Sequence, residues 1–173
     1  FKRGWVNLKL YFMLGLPTEN DKDLEAIAEL VLKIYDLGKH SPGRRPRLRI
    51  SLSTFVPKPH TPFQWVAQIT REEIERRVEL LRSLINRRGI SLSWQSPRTS
   101  LLEAVLSRGD RRLGSVIERA WELGARFDGW GELFDFKLWQ QAFGEAGIDP
   151  CFYACRDLGL DEALPWGHLD TGI

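Results

Sequence analysis

The stretch Tyr11-Phe12-Met13-Leu14-Gly15-Leu16-Pro17-Thr18-Glu19 decides how this chain reads, because it runs an apolar strand straight into a Gly/Pro turn. Further along, Ser53-Thr54-Phe55-Val56-Pro57-Lys58-Pro59-His60-Thr61-Pro62 repeats the pattern. Junctions of this kind are where α/β folds present backbone to a ligand.

Working outward, Val6, Leu8, Leu10 and Phe12 alternate with Asn7, Lys9 and Tyr11, which predicts a half-covered strand that ends buried. Thr18 stands three residues before Asp21, the spacing of a capping box, and Leu24, Ile27, Leu30, Val31 and Ile34 recur at helical intervals up to Gly38, read as the helix stop. A Pro/Gly/Arg loop from Ser41 to Arg47 leads to a second strand, Leu48 to Phe55, so the unit is βαβ with a parallel pair. Thr70 and Glu73 open another helical pattern, carried by Ile74, Val78, Leu81 and Ile85 and ending near Gly89; Ile90 to Trp94 reads as a third strand. Beyond it, 101–107, 113–123 and 136–143 read as helices, and four of the seven tryptophans fall in this half, where burial is expected of them. Residues 149–173 read as an irregular arm. The division is 1–95, strands and helices alternating, and 96–173, a helical extension.

A chain of 173 residues with 43% hydrophobic and 28% charged residues suffices for one respectable core. The net charge of +2 is too small to imply nucleic acid, although arginine outnumbers lysine. Two cysteines cannot staple a chain this long, and no apolar run approaches the roughly 20 residues of a membrane span. The expected compartment is the cytoplasm. Two or three parallel strands cannot close a barrel, and parallel sheets are covered on both faces. The first strand is therefore expected to lack a neighbour that upstream sequence or another chain supplies.

The two strand-to-turn stretches, in this order and separated by one helix, resemble the last two strands of a radical S-adenosylmethionine (SAM) barrel. Nearly the whole chain resembles an uncharacterised radical SAM family that carries an upstream cobalamin-binding domain. The resemblance implies the C-terminal portion of a (β/α)₆ partial barrel followed by an α-helical extension, forming one wall of the SAM site and not catalytic alone. It implies SAM and a [4Fe–4S] cluster as cofactors, serving reductive SAM cleavage and substrate hydrogen abstraction, with cobalamin through the upstream domain. The family's CxxxCxxC loop is absent here, so the cluster ligands and the partner that completes the site belong to an N-terminal part of the same polypeptide. The substrate is not specified by the resemblance. The cofactor contacts it implies are Met13, Gly15, Leu16 and Pro17 after the first strand, and Phe55, Val56 and Pro57 after the second. The motif departs from the commoner G-x-I-x-G-x-x-E form: Tyr11 replaces its first Gly, Met13 its Ile, and the acid falls one position late at Glu19. Adenine contact is thus expected of Met13 rather than a ribose contact of Glu19.

The alternative is a non-catalytic module binding RNA or a protein partner. Arg44-Arg45-Pro46-Arg47-Leu48-Arg49, Arg76-Arg77, Arg87-Arg88 and Arg111-Arg112 are the runs that would track a phosphate backbone. Glu72, Glu73, Glu75 and Glu79 interleave with the second, the pattern of a salt-bridged solvent face, and RNA is not favoured. Cys151 and Cys155 offer two-thirds of a cluster spacing, without a third thiolate, and read as core. His60 and His40 read as solvated. Leu164-Pro165-Trp166-Gly167-His168-Leu169-Asp170 resembles the family's ending of this region; Trp166 is expected to pin the arm, with His168 and Asp170 as an acid/base pair the other reading.

Overall fold

Alternation along β1 (Asn7–Leu14) and β2 (Arg47–Thr54) sorts their side chains onto two unlike faces of a sheet, which sets the first half of the fold. The computed structural model describes residues 1, 3–40 and 45–172. It is α/β, continuing through α1 (Asp21–Lys39), α2 (Arg71–Leu84), β3 (Ile90–Trp94), α3 (Pro97–Arg108), α4 (Leu113–Glu122), α5 (Phe136–Glu145) and α6 (Pro150–Ala154). The chain divides into two units: Phe1–Phe55 with Arg71–Pro97, and Val56–Thr70 with the residues from Arg98 onward. The proline-rich segment thus belongs with the helices.

In the first unit the three strands are parallel in the order β1-β2-β3. Their register aligns Leu10, Ile50 and Leu92, and likewise Phe12, Leu52 and Trp94. Leu48, Ile50 and Leu52 are buried, as are Leu24, Ala28, Val31 and Tyr35 of α1 and Ile74, Val78 and Leu81 of α2. The opposite face carries Lys9, Tyr11, Met13, Arg47, Arg49, Ser53, Ser91 and Ser93, all exposed. One face of this parallel sheet is thus built as core and the other as polar surface, and β1 is an edge strand.

Two helix signals differ from the sequence reading. The N-cap of α1 is Asn20, whose side chain accepts from the Lys22 amide while Asp23 closes the capping box. Thr18 cannot serve, because its φ of 69° is left-handed whereas an N-cap is extended, as Asn20 is at −133°. Gly38 does not stop α1, which runs on to Lys39; a Cβ there would meet Pro46 Cβ at 2.6 Å, so glycine is kept for close packing. The Ser41–Arg44 part of the arginine-rich loop lies outside the described residues.

One ion-pair system holds this unit's turn. Arg77, read from the sequence as part of a solvated face, is buried, and it donates to the Glu19 carboxylate, to the Glu19 carbonyl at 3.3 Å and to Glu73 at 2.7 Å. Its neighbour Arg76 behaves as expected, bridging Asp21 and Glu73 on the surface.

The second unit is helical. Leu102, Val105, Leu113, Val116, Trp139, Phe143 and Tyr153 form its core, with alanines where helices approach. Trp139 and Trp166 are buried as expected, but Trp121 and Trp130 are 59% and 64% exposed, because they project outward from the end of α4 and from the Gly-rich turn. The arm is not wholly irregular: Asp149 caps and Pro150 opens the five-residue α6 before the chain passes into turns. Gln68 donates its amide to the Ala154 carbonyl at 2.8 Å and its side chain to the Ser100 carbonyl, which ties the proline-rich segment to α6 and α3.

Removing one partner of a buried pair leaves the other charge uncompensated. Arg77→Met is therefore expected to destabilise the chain by about 3–5 kcal/mol in urea unfolding, with Arg76→Met, on the surface, costing far less. Hydrogen bonds from Arg76 and then Arg77 hold the Glu73 carboxyl at about 2, below its ordinary 4.5. A depressed carboxylate adds stability at pH values above 4.5 that is lost as pH falls toward 2. Urea midpoints followed through that window should drop in the native sequence, and Glu73→Gln should remove part of the slope.

Candidate functional site

An open groove of about 470 Å³ lies at the carboxyl end of β1, lined by Met13, Leu16, Pro17, Thr18, Glu19, Asp23, Ala26, Ile27 and Leu30. The carboxyl ends of strands are where parallel α/β sheets take ligands. The strand ends buried at Leu14, then Gly15 turns the chain at a φ of 86°, and Leu16 and Pro17 form one rim. Met13 is 45% exposed and Leu16 38%, so both present apolar surface to the groove. Three residues of the sequence reading, Met13, Leu16 and Pro17, are thereby brought together.

Gly15 plays a different part. It is buried, and its N–H donates to Glu19 Oε1 at 2.9 Å. The same oxygen receives Arg77, so the Glu19 carboxylate is consumed by the turn. Asp23 is likewise committed, accepting from the Asn20 amide at 2.8 Å. The groove is therefore an apolar cleft whose two carboxylates serve the backbone, a surface for binding rather than for proton transfer.

Phe55 lies in the first unit with its ring buried, and its N–H donates to the Leu14 carbonyl at 2.7 Å, which prolongs the β1–β2 ladder by one bond. Val56 and Pro57 belong to the second unit, Val56 packed against the helical core and Pro57 fully buried. Sequence reasoning missed two features. Thr18, β-branched, holds a φ of 69°, a strain of the kind that gathers at ligand loops. Arg77 falls between Ile74 and Leu81 at i+3 and i−4, on the buried stripe, and that spacing was the signal available.

In the second unit His60 is also left-handed at 57°, and its N–H donates to Gln64 Oε1. That oxygen accepts the Trp166 indole N–H at 2.7 Å, so Trp166 pins the arm to the proline-rich segment. Asp170 accepts from the Gly172 amide, and His168 borders a cleft with Asp110, Arg111 and Arg112. Cys151 and Cys155 are both half-buried, their sulfurs 2.7 Å apart, and Cys155 packs against the helical core as the sequence reading expects. Among the described residues no three His, Cys, Asp or Glu side chains converge as a metal site, and no helix is long and apolar enough to cross a membrane.

A relative from Methanocaldococcus jannaschii, described as uncharacterized protein MJ0966, is 27% identical over 117 residues, 68% of this chain and 24% of the relative. The chain thus spans about a quarter of the length of that curated relative. No family model and no solved structure matches the chain.

At Gly15 an L side chain meets the left-handed penalty of about 1–2 kcal/mol. Gly15→Ala is expected to lower stability by that amount and Gly15→Asn by less, measured by chemical unfolding; equal stability of all three chains would remove the turn from this account.

Proposed function

We propose that this chain is the C-terminal part of a radical SAM barrel with a helical extension, and that it contributes one wall of the SAM site without being catalytic alone. The observation that carries the reading is that, among the described residues of the first unit, the parallel sheet has helices on one face only. Its bare face is polar, its β1 edge is unpaired in the sheet order, and the groove at the carboxyl end of β1 is apolar. Parallel sheets are otherwise covered on both faces, so a further strand beside β1 and a structure opposite the polar face are the completion this unit calls for.

The residues fit one cofactor and not the other. Met13, Leu16 and Pro17 suit the flat, largely apolar face of a nucleoside, with Thr18 at the polar rim. Nothing among the described residues suits a [4Fe–4S] cluster, which takes more thiolates than Cys151 and Cys155 offer. Those ligands would come from the N-terminal part of the polypeptide, as would any cobalamin domain. Bound together, SAM and the cluster supply reductive cleavage and hydrogen abstraction; this chain's share is to bind and orient through Met13 and Leu16 on a turn fixed by Gly15, Glu19 and Arg77.

RNA binding is the second reading, and one observation favours it: Lys9, Arg47 and Arg49 share the exposed sheet face with Tyr11, over whose ring the Lys9 ammonium stands at 4.8 Å. Lys9 and Arg49 are register partners. If this face tracks a backbone, binding to single-stranded RNA should weaken with salt at about −0.7 log units per log unit for each neutralised phosphate, and Lys9→Ala with Arg49→Ala should flatten that slope.

The deciding experiment is equilibrium dialysis of SAM against the full-length polypeptide with its cluster reconstituted. Met13→Ala with Leu16→Asp should weaken binding at least about tenfold, roughly 1.4 kcal/mol, at unchanged iron content. Unchanged SAM affinity in that double variant would remove the groove from the site.

A further inference from the structure

Cys151 and Cys155 are held one turn apart by a helix built for that spacing. Asp149 Oδ1 accepts the Cys151 amide at 2.9 Å, Pro150 opens the turn, and the Cys155 amide donates back to the Cys151 carbonyl at 2.8 Å. Helix geometry puts Cα atoms at i and i+4 about 6 Å apart, inside the roughly 4.4–6.8 Å window that disulfides span, while Cβ atoms at that spacing stand about 5–6 Å apart, so closing the bond draws the last turn inward by about 1–2 Å. The sulfurs stand 2.7 Å from one another, a short step from the bonded separation of about 2.05 Å. Cys155 has already left helical geometry, at φ −104° and ψ 15°, so the backbone shift that the bond needs falls at the end of α6.

Cys155 packs against the helical core, yet neither cysteine is sealed within it. Both residues are half-buried, which leaves a path for a small reagent. Beside them the buried Arg108 guanidinium donates to the Ala154 carbonyl at 3.1 Å and to the Arg156 carbonyl at 3.0 Å, the two residues that flank Cys155. Among the described residues its Nε has no partner. That cation is anchored on the carbonyls either side of Cys155 and interacts electrostatically with it, which favours the negative charge a sulfur carries while thiols exchange.

We infer that Cys151 and Cys155 are a reversible dithiol–disulfide site whose oxidant is a low-molecular-weight disulfide. The thiolate of one cysteine attacks a sulfur of the small disulfide, forming a mixed disulfide and expelling one small thiolate. The thiolate of the other cysteine then attacks the protein sulfur of that mixed disulfide, closing the Cys151–Cys155 bond and expelling the second. Two electrons pass from the cysteine pair to the small disulfide, and the two protons leave with the two small thiols. Because the Ala154 carbonyl accepts from both Gln68 and Arg108, the bond would lock the turn that anchors the proline-rich segment.

The test is equilibration of the whole chain with defined mixtures of reduced and oxidised glutathione, followed by acid quench, alkylation and intact-mass and peptide analysis, with and without urea. The expected product lacks both thiols and carries the Cys151–Cys155 link. At a fixed glutathione ratio the equilibrium constant for oxidation should be at least about tenfold larger in the native chain than in urea, because the fold presets the sulfurs. Cys151→Ala and Cys155→Ala should each stop at a glutathione adduct. Native chain that keeps both thiols, that accumulates glutathione adducts or interchain dimers, or that oxidises no more readily than unfolded chain would overturn the inference. The comparison of native with unfolded chain decides even if a single variant fails to fold.

Discussion

The contact on which the first unit depends is the carboxylate of Glu19, received on one side by the Gly15 amide and on the other by the Arg77 guanidinium. A chain leaving the buried end of a parallel strand must turn back sharply, which here strands the Gly15 amide inside and takes a left-handed residue. Gly15 supplies the conformation, Glu19 satisfies the amide, and Arg77, itself tied to Glu73, neutralises the acid that has been drawn inside. Each partner is there because of the one before it. The cost of desolvating a carboxylate and a guanidinium is met only by this full set of bonds, which is why the pair orders the turn rather than simply adding stability.

With the turn held in this way, the exposed apolar residues after β1 acquire a fixed place. Met13 and Leu16 are presented at the carboxyl end of the strand, and Ala26, Ile27 and Leu30 of α1 close the other side of the groove. The two acids on its border are engaged with backbone and arginine. On the reading proposed above, a cleft with that division of labour would grip a flat ligand and leave the chemistry to the cofactor.

The second unit uses buried polar groups in the same economical manner. Arg108 reaches the carbonyls at the end of α6, Gln68 adds its amide and side chain, and Trp166 shares Gln64 with His60. Segments far apart in the chain, 56–70, 108 and 154–166, meet through these few bonds, and the cysteine pair lies at the margin of that junction.

The alternation of Leu8, Leu10 and Phe12, the helical spacing of Leu24, Val31 and Ile74, and the Gly/Pro punctuation determined from sequence alone that a βαβ unit precedes a set of helices, because periodicity in an amphipathic segment records which face is covered. That Met13, Leu16 and Pro17 lie together at the end of β1 was legible because an apolar strand running into a Gly/Pro turn marks where the strand stops. What tertiary structure decided were matters of partner rather than pattern. Arginine at 77 reads as solvent until Glu19, distant in sequence, is placed against it; Trp121 and Trp130 read as core until the helices leave them outside; the cysteines at 151 and 155 give no sign of meeting until α6 sets their sulfurs side by side. Composition along a chain reports how hydrophobic a position is, whereas burial of a charge or the meeting of two thiols depends on what the fold brings across from elsewhere.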